Sequence, residues 1–173
     1  TPKTTWTNNL QYRTSDESEI INTRLNFYDS ENAFQNATLR YNDGIELDQS
    51  LEFTSNFRHQ FKKEDHTLSF DVSLSDNDET EVYEIQDITN ERNDIATGQA
   101  NQLFQLDYVL PIRKNTRFEA GYRGSFVQNK RNFLYEKFLD NQWVNQTDFS
   151  NDFEYLENVN SLYTQFGSKV KKF

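Results

Sequence analysis

Ile45-Glu46-Leu47-Asp48-Gln49-Ser50-Leu51-Glu52-Phe53-Thr54-Ser55-Asn56-Phe57-Arg58-His59-Gln60-Phe61 alternates with hardly a slip. Six of its nine odd positions are apolar, and none of its even positions is. A period of two predicts an extended strand with one greasy and one wet face. Strands of globular domains run about 3–10 residues, whereas 17 extended positions reach roughly 55 Å. Few soluble cores are that tall; a bilayer with an extension above it is.

The same alternation recurs on both sides of this stretch. A first strand is predicted from Thr5 to Phe27, with Trp6, Leu10 and Tyr12 on one face and Ile21, Leu25 and Phe27 less regular above. A polar loop at Asp29–Asn32 returns the chain into Ala33–Phe61, where Gly44 reads as a bulge. The tight turn Lys62-Lys63-Glu64-Asp65 leads into Leu68, Phe70, Val72 and Leu74. Asp76 to Asn101 is dense in acid and reads as a long polar loop. Alternation resumes at Phe104, Leu106, Tyr108 and Leu110, and Arg113-Lys114-Asn115 makes a second tight turn. Phe118, Ala120, Tyr122 and Phe126 climb to a third polar loop, Asp140–Asp152. A last strand carries Leu162, Thr164, Phe166, Ser168 and Val170 outward, and Lys171-Lys172 would open another turn. Short basic turns thus fall at one end of the strands and longer connections at the other.

That pattern predicts an all-β chain, an antiparallel up-and-down meander of about six long strands. Short turns on one side and longer loops on the other are the arrangement of an outer-membrane barrel. Six strands cannot close one, since such barrels begin at about 8. The expected unit is therefore 1–173 as one piece of a larger transmembrane β-barrel, truncated at both ends and without a plug domain. The absence of an initiator Met, and of a signal peptide, points the same way.

Composition agrees. Hydrophobic content is only 34 %, yet aromatics reach 15 %, which a disordered chain would not carry. No apolar run approaches the ~20 residues of a membrane helix, and a barrel strand leaves no such run, because outward and inward residues alternate. The lack of Cys removes disulfides, thiolate catalysis and Cys-ligated metal. A net charge of −10 argues against nucleic acid as a partner.

Phe57-Arg58-His59-Gln60-Phe61-Lys62-Lys63-Glu64-Asp65-His66-Thr67-Leu68 resembles a strand–turn–strand of the TonB-dependent receptor-like outer-membrane β-barrel family. Phe118-Glu119-Ala120-Gly121-Tyr122-Arg123 with Asn141-Gln142-Trp143 looks like its next hairpin, and Tyr155-Leu156-Glu157-Asn158-Val159 is similar to its following strand. The resemblance implies a segment of a ~22-stranded transporter barrel in the bacterial outer membrane. Its partners would be outer-membrane lipid, the remaining barrel strands, a plug and an energy-coupling inner-membrane protein. The parent would import or bind a nutrient. Phe173 ends the chain on an aromatic, but Lys171, Lys169, Gly167 and Gln165 break the alternation of an insertion signal, so it reads as a truncation point.

The faces follow from the period. Leu51, Phe53, Phe57, Phe61, Leu68, Phe70, Val72, Leu106, Tyr108, Leu110, Phe118, Tyr122, Leu162 and Phe166 are expected to face lipid. Phe57, Phe61, Phe118 and Tyr122 would form the lower aromatic girdle. Glu46, Glu52, Asn56, Arg58, Asp71, Asp107, Glu119 and Arg123 would face the lumen, with Arg123 paired to a neighbouring acid.

No chemistry stands out. Asp76-Asn77-Asp78 superficially matches the opening of a calcium loop, but Glu81 replaces the glycine it needs. His59 and His66 flank a turn with only Asp65 as a third ligand, and an interfacial place suits His59 better. Glu46 and Asp48 share a face as glycosidase carboxylates do, although a wet wall explains them more simply. No nucleophile motif or phosphate loop is visible. The expectation is no enzyme, no catalytic residue, no metal and no cofactor. The rival reading is a soluble, secreted β-sandwich that binds carbohydrate through Trp6 and Trp143.

Overall fold

The computed structural model describes residues 3–168 apart from Lys114. Val170, the Lys171-Lys172 turn and the aromatic terminus Phe173 lie outside the described residues. Seven strands form one antiparallel sheet: β1 (Thr4–Tyr28), β2 (Phe34–Gln60), β3 (Thr67–Gln86), β4 (Glu91–Arg113), β5 (Thr116–Leu139), β6 (Gln142–Asn145) and β7 (Asn151–Ser168). Consecutive strands β1 to β5 pair as a meander. β5 then splits its free edge, giving residues 136–139 to the short β6 and residues 116–133 to β7.

The six long strands are those predicted, but the upper connections are shorter than expected. The acidic stretch read as a long loop is strand: β3 continues to Gln86, β4 begins at Glu91, and only 87–90 connect them. The reason lies in the ladder itself. Tyr41–Ser50 of β2 offer an unbroken row of partners to Asn77–Gln86, and backbone pairing does not require an apolar face. Thr80, Val82, Tyr83 and Ile85 supply the β-branched and aromatic content that holds the extended form. Likewise part of the 140–152 loop is the hairpin strand β6.

Gly44 is not a bulge. Pairing runs through it without a shift, opposite Glu19 on one side and Tyr83 on the other. A Cβ at Gly44 would sit 2.6 Å from Cε1 of Tyr83, so the glycine makes room for a ring on the neighbouring strand. The register breaks that do occur lie at strand ends, at Phe27/Tyr28 and Pro111/Arg113.

The described residues contain no buried apolar side chain. A globular protein of 20.6 kDa would expose about 8,900 Å²; this chain exposes 13269 Å². It is a single layer. The rival β-sandwich would need a second sheet packed about 10 Å away, and among the described residues there is only one sheet. Both outer strands, β1 and β7, keep a free edge, since β1 pairs only β2 and β7 pairs only β5.

Candidate functional site

Directly paired residues of antiparallel strands share a face, so the register sorts every side chain. One row across the sheet reads Trp6, Phe57, Phe70, Leu106, Tyr122, Leu162. The next row but one on that face reads Leu10, Phe53, Leu74, Gln102, Phe126, Asn158. All the strand residues expected to face lipid fall on this one face: Leu51, Phe53, Phe57, Leu68, Phe70, Val72, Leu106, Tyr108, Leu110, Phe118, Tyr122, Leu162 and Phe166. Phe61 lies just past the end of β2. Its ring stacks on His66 at 4.0 Å and meets His59 edge-on at 4.6 Å, beside Tyr108. Large apolar groups here stand open, Trp6 at 69 %, Leu162 at 85 % and Phe166 at 66 % exposure.

The opposite face carries the other set. Glu46, Glu52, Asn56, Arg58, Asp71, Asp107, Glu119 and Arg123 all share it. Asn56 donates to Asp71 across the β2–β3 pair at 2.6 Å, and Arg117 bridges Glu119 at 2.6 Å. Among the described residues Arg123 does not make the ion pair expected of it: opposite it stand Gln105 and Ser161, which are neutral. The ion pairs seen lie elsewhere, among them Arg40–Asp87 at 2.9 Å and Arg92–Glu136 at 2.5 Å, both near the upper turns.

A contact on the polar face that the period alone did not reveal joins three strands. Asp107, Gly121 and Tyr163 form one row over β4, β5 and β7. Tyr163 Oη donates to Asp107 Oδ1 at 2.5 Å, while Gln105 Nε2 donates to the other carboxylate oxygen at 2.8 Å. The ring lies over Gly121, where a Cβ would meet its Cε1 at 2.2 Å. Only glycine lets the tyrosine cross. Gly44 under Tyr83 repeats the device higher up. Phe-Glu-Ala-Gly-Tyr was legible as a strand, but its glycine is explained only by a partner 42 residues later in the register (163 − 121).

The apolar rows end partway up. On β2 they are densest from Leu51 to Phe61, close to the 9–11 residues a tilted barrel strand needs to cross a bilayer, and Leu47 and Ile45 continue the face more sparsely above Gln49. From the Leu51 row upward the same face also carries Asp76, Asp78, Lys130, Asp152 and Glu154. The acids of 76–87 do not converge as a calcium loop would require. Asp76, Asp78 and Glu84 take the apolar face, Glu79 and Glu81 the polar face, and Asp87 the turn. Glu46, Asp48 and Glu79 do bring carboxylate oxygens within 4.8 Å of one another, on open strand surface. The two histidines meet through Phe61; His59 Nδ1 lies 2.7 Å from Thr4 Oγ1 and His66 Nε2 lies 2.9 Å from Tyr108 Oη.

The upper turns are fastened by aspartates. Asp29 Oδ1 accepts the backbone N–H of Glu31 and of Ala33, each at 2.9 Å, while Asn32 takes a left-handed φ of 61°. The Ala33 and then the Glu31 amide hold the Asp29 carboxyl below its ordinary value. Asp87 is lowered in the same way, first by the Thr89 amide and then by the Arg40 guanidinium.

Among curated proteins nothing matches this chain. Residues 59–173, well over half of it, match the Outer membrane protein beta-barrel family. A single antiparallel sheet with a membrane-height apolar band and, among its described residues, no buried apolar side chain is what such a barrel wall requires. The chain belongs to the outer membrane protein beta-barrel family, and its place is the bacterial outer membrane.

Proposed function

We propose that this chain is part of the wall of a wide outer-membrane barrel that imports or binds a nutrient, in the manner of TonB-dependent receptors. The observation that carries it is the pair of unlike faces on a sheet with two free edges. In hydrocarbon an open edge leaves several kcal/mol of unmet hydrogen bonding per group, so further strands must pair with β1 and β7. The apolar face, from Phe118 and Leu110 up to Leu51 and Tyr12, turns to lipid. The face bearing Asn56, Arg58, Asp71, Asp107, Glu119 and Arg123 lines the interior. Long charged and amide side chains over so broad a wall suit a solvated lumen or a docked plug rather than an apolar fill. Energy would then come from an inner-membrane partner. This reading gives the wall no catalytic role.

Cysteine accessibility tests the assignment of faces. In cells, Asp71→Cys and Glu119→Cys are expected to react with a membrane-impermeant thiol reagent, whereas Phe70→Cys and Leu106→Cys are expected to resist it and to react with a lipophilic one. Equal labelling of both sets would overturn the assignment. Energy coupling is tested separately: solute uptake through the parent barrel should stop when the inner-membrane proton gradient is collapsed. Uptake that continues would leave a passive pore.

A further inference from the structure

At the lower end of the polar face, β1, β2 and the turn after β2 form an open cavity of about 570 Å³ whose lining includes Lys3, Arg58, Lys62, Lys63 and Glu64, with the Phe61 ring at its edge. Four cations against one carboxylate is a sharp inversion in a chain of net charge −10. Lys63 is already engaged, its ammonium donating to the carbonyl oxygens of Pro111 and Ile112 and so tying this turn to the next. Among the described residues, neither Lys3, Arg58 nor Lys62 forms a salt bridge. Arg58 sits between Thr5 and Ser69 in its row, both uncharged. Three like charges held around one concavity repel one another, and an anion placed among them removes that cost.

We propose that this cavity is a binding site for a phosphate-type oxyanion. The Arg58 guanidinium offers a planar fork that matches two oxygens of such an anion. Lys3 and Lys62 add point charges, and the Thr5 hydroxyl and Gln60 amide, which also line the cavity, add neutral donors. The volume falls in the usual range of small-molecule sites. The place on the polar face favours a soluble phosphate arriving from the aqueous side of the wall. An anionic phospholipid headgroup reaching round the Lys62–Lys63 turn is the other source of the same chemistry. The site stands whether or not the parent barrel imports a solute.

Pyrophosphate is the probe. For full-length protein extracted from the outer membrane into zwitterionic nanodiscs, calorimetry should show saturable binding that weakens with added salt. The double variant Arg58→Gln, Lys62→Gln should bind at least 10-fold more weakly, while Lys130→Gln, on the other face and further up the strands, should bind as wild type. Absence of saturable binding, or a double variant that binds normally, would overturn the site. Discs containing phosphatidylglycerol separate the sources: a 10-fold loss of pyrophosphate affinity there identifies the headgroup as occupant, and unchanged affinity identifies the soluble anion. Should the double variant fail to assemble, amine acylation of wild-type outer membranes decides. Pyrophosphate should protect Lys3 and Lys62 and leave Lys130 reactive; equal reactivity with and without it would refute the site.

Discussion

Gly121 shows how one missing side chain can fasten three strands of the lower half. Its missing Cβ is where the Tyr163 ring passes to reach Asp107, so one glycine permits a hydrogen bond spanning three strands. Gly121→Val should push the ring off and unpair Asp107, costing about 1–3 kcal/mol, as overpacking typically does. Urea titration of the heat-modifiable folded band would read it. Gly167 is the control in the same strand pair: its nearest neighbour to an added Cβ is 3.7 Å away, at Arg117. Gly167→Ala should be neutral or slightly stabilising, since it only restricts the unfolded chain. Equal losses at both positions would show that the tyrosine crossing contributes nothing.

Elements are held by different forces at their two ends. In the lower half, the apolar rows bind the strands to their surroundings. Phe53→Arg should therefore cost about 2–4 kcal/mol if it stands near the bilayer midplane, whereas Thr54→Arg, one residue on and on the opposite face, should cost little. Insertion that tolerates both alike would refute the placement. In the upper half both faces carry charge, and the turns are fastened by Asp29 and Asp87. Asp29 has a folded pKa below its ordinary 3.8, so its contribution is present above that value and lost as pH falls through the lower folded one. Amide exchange should show the β1–β2 tip opening below about pH 3.8, and Asp29→Ala should show the same opening at neutral pH. A tip equally protected in both would mean that strand pairing alone holds it.

For the whole molecule, the decisive property is the absence of any interior among the described residues. A sheet that buries no apolar side chain among its described residues and leaves the outer edges of β1 and β7 unpaired is completed by its surroundings. The chain produced on its own in a Gram-negative host should therefore be recovered from the outer membrane only with detergent. It should sediment as an assembly that grows with concentration, because free edges template further pairing. A monodisperse, detergent-free monomer would contradict the open sheet.

The amino-acid sequence by itself determined the strands of the lower half and their faces. From Leu51 to Phe61, and again over Leu68–Leu74 and Phe104–Leu110, the alternation records one apolar and one polar face, and the side-chain period of a strand is fixed by its backbone. Where both faces are wet the alternation vanishes, which is why 76–101 read as loop although the ladder continues through it. Only the tertiary structure decided that stretch, because backbone hydrogen bonds leave no trace in side-chain polarity. Register, too, was beyond the sequence. It alone sets Gly121 beneath Tyr163, leaves Arg123 between neutral partners and gathers Lys3, Arg58 and Lys62 around one cavity. Arg58 and Lys62 apart, those are residues far from one another along the chain, and no local pattern encodes their meeting.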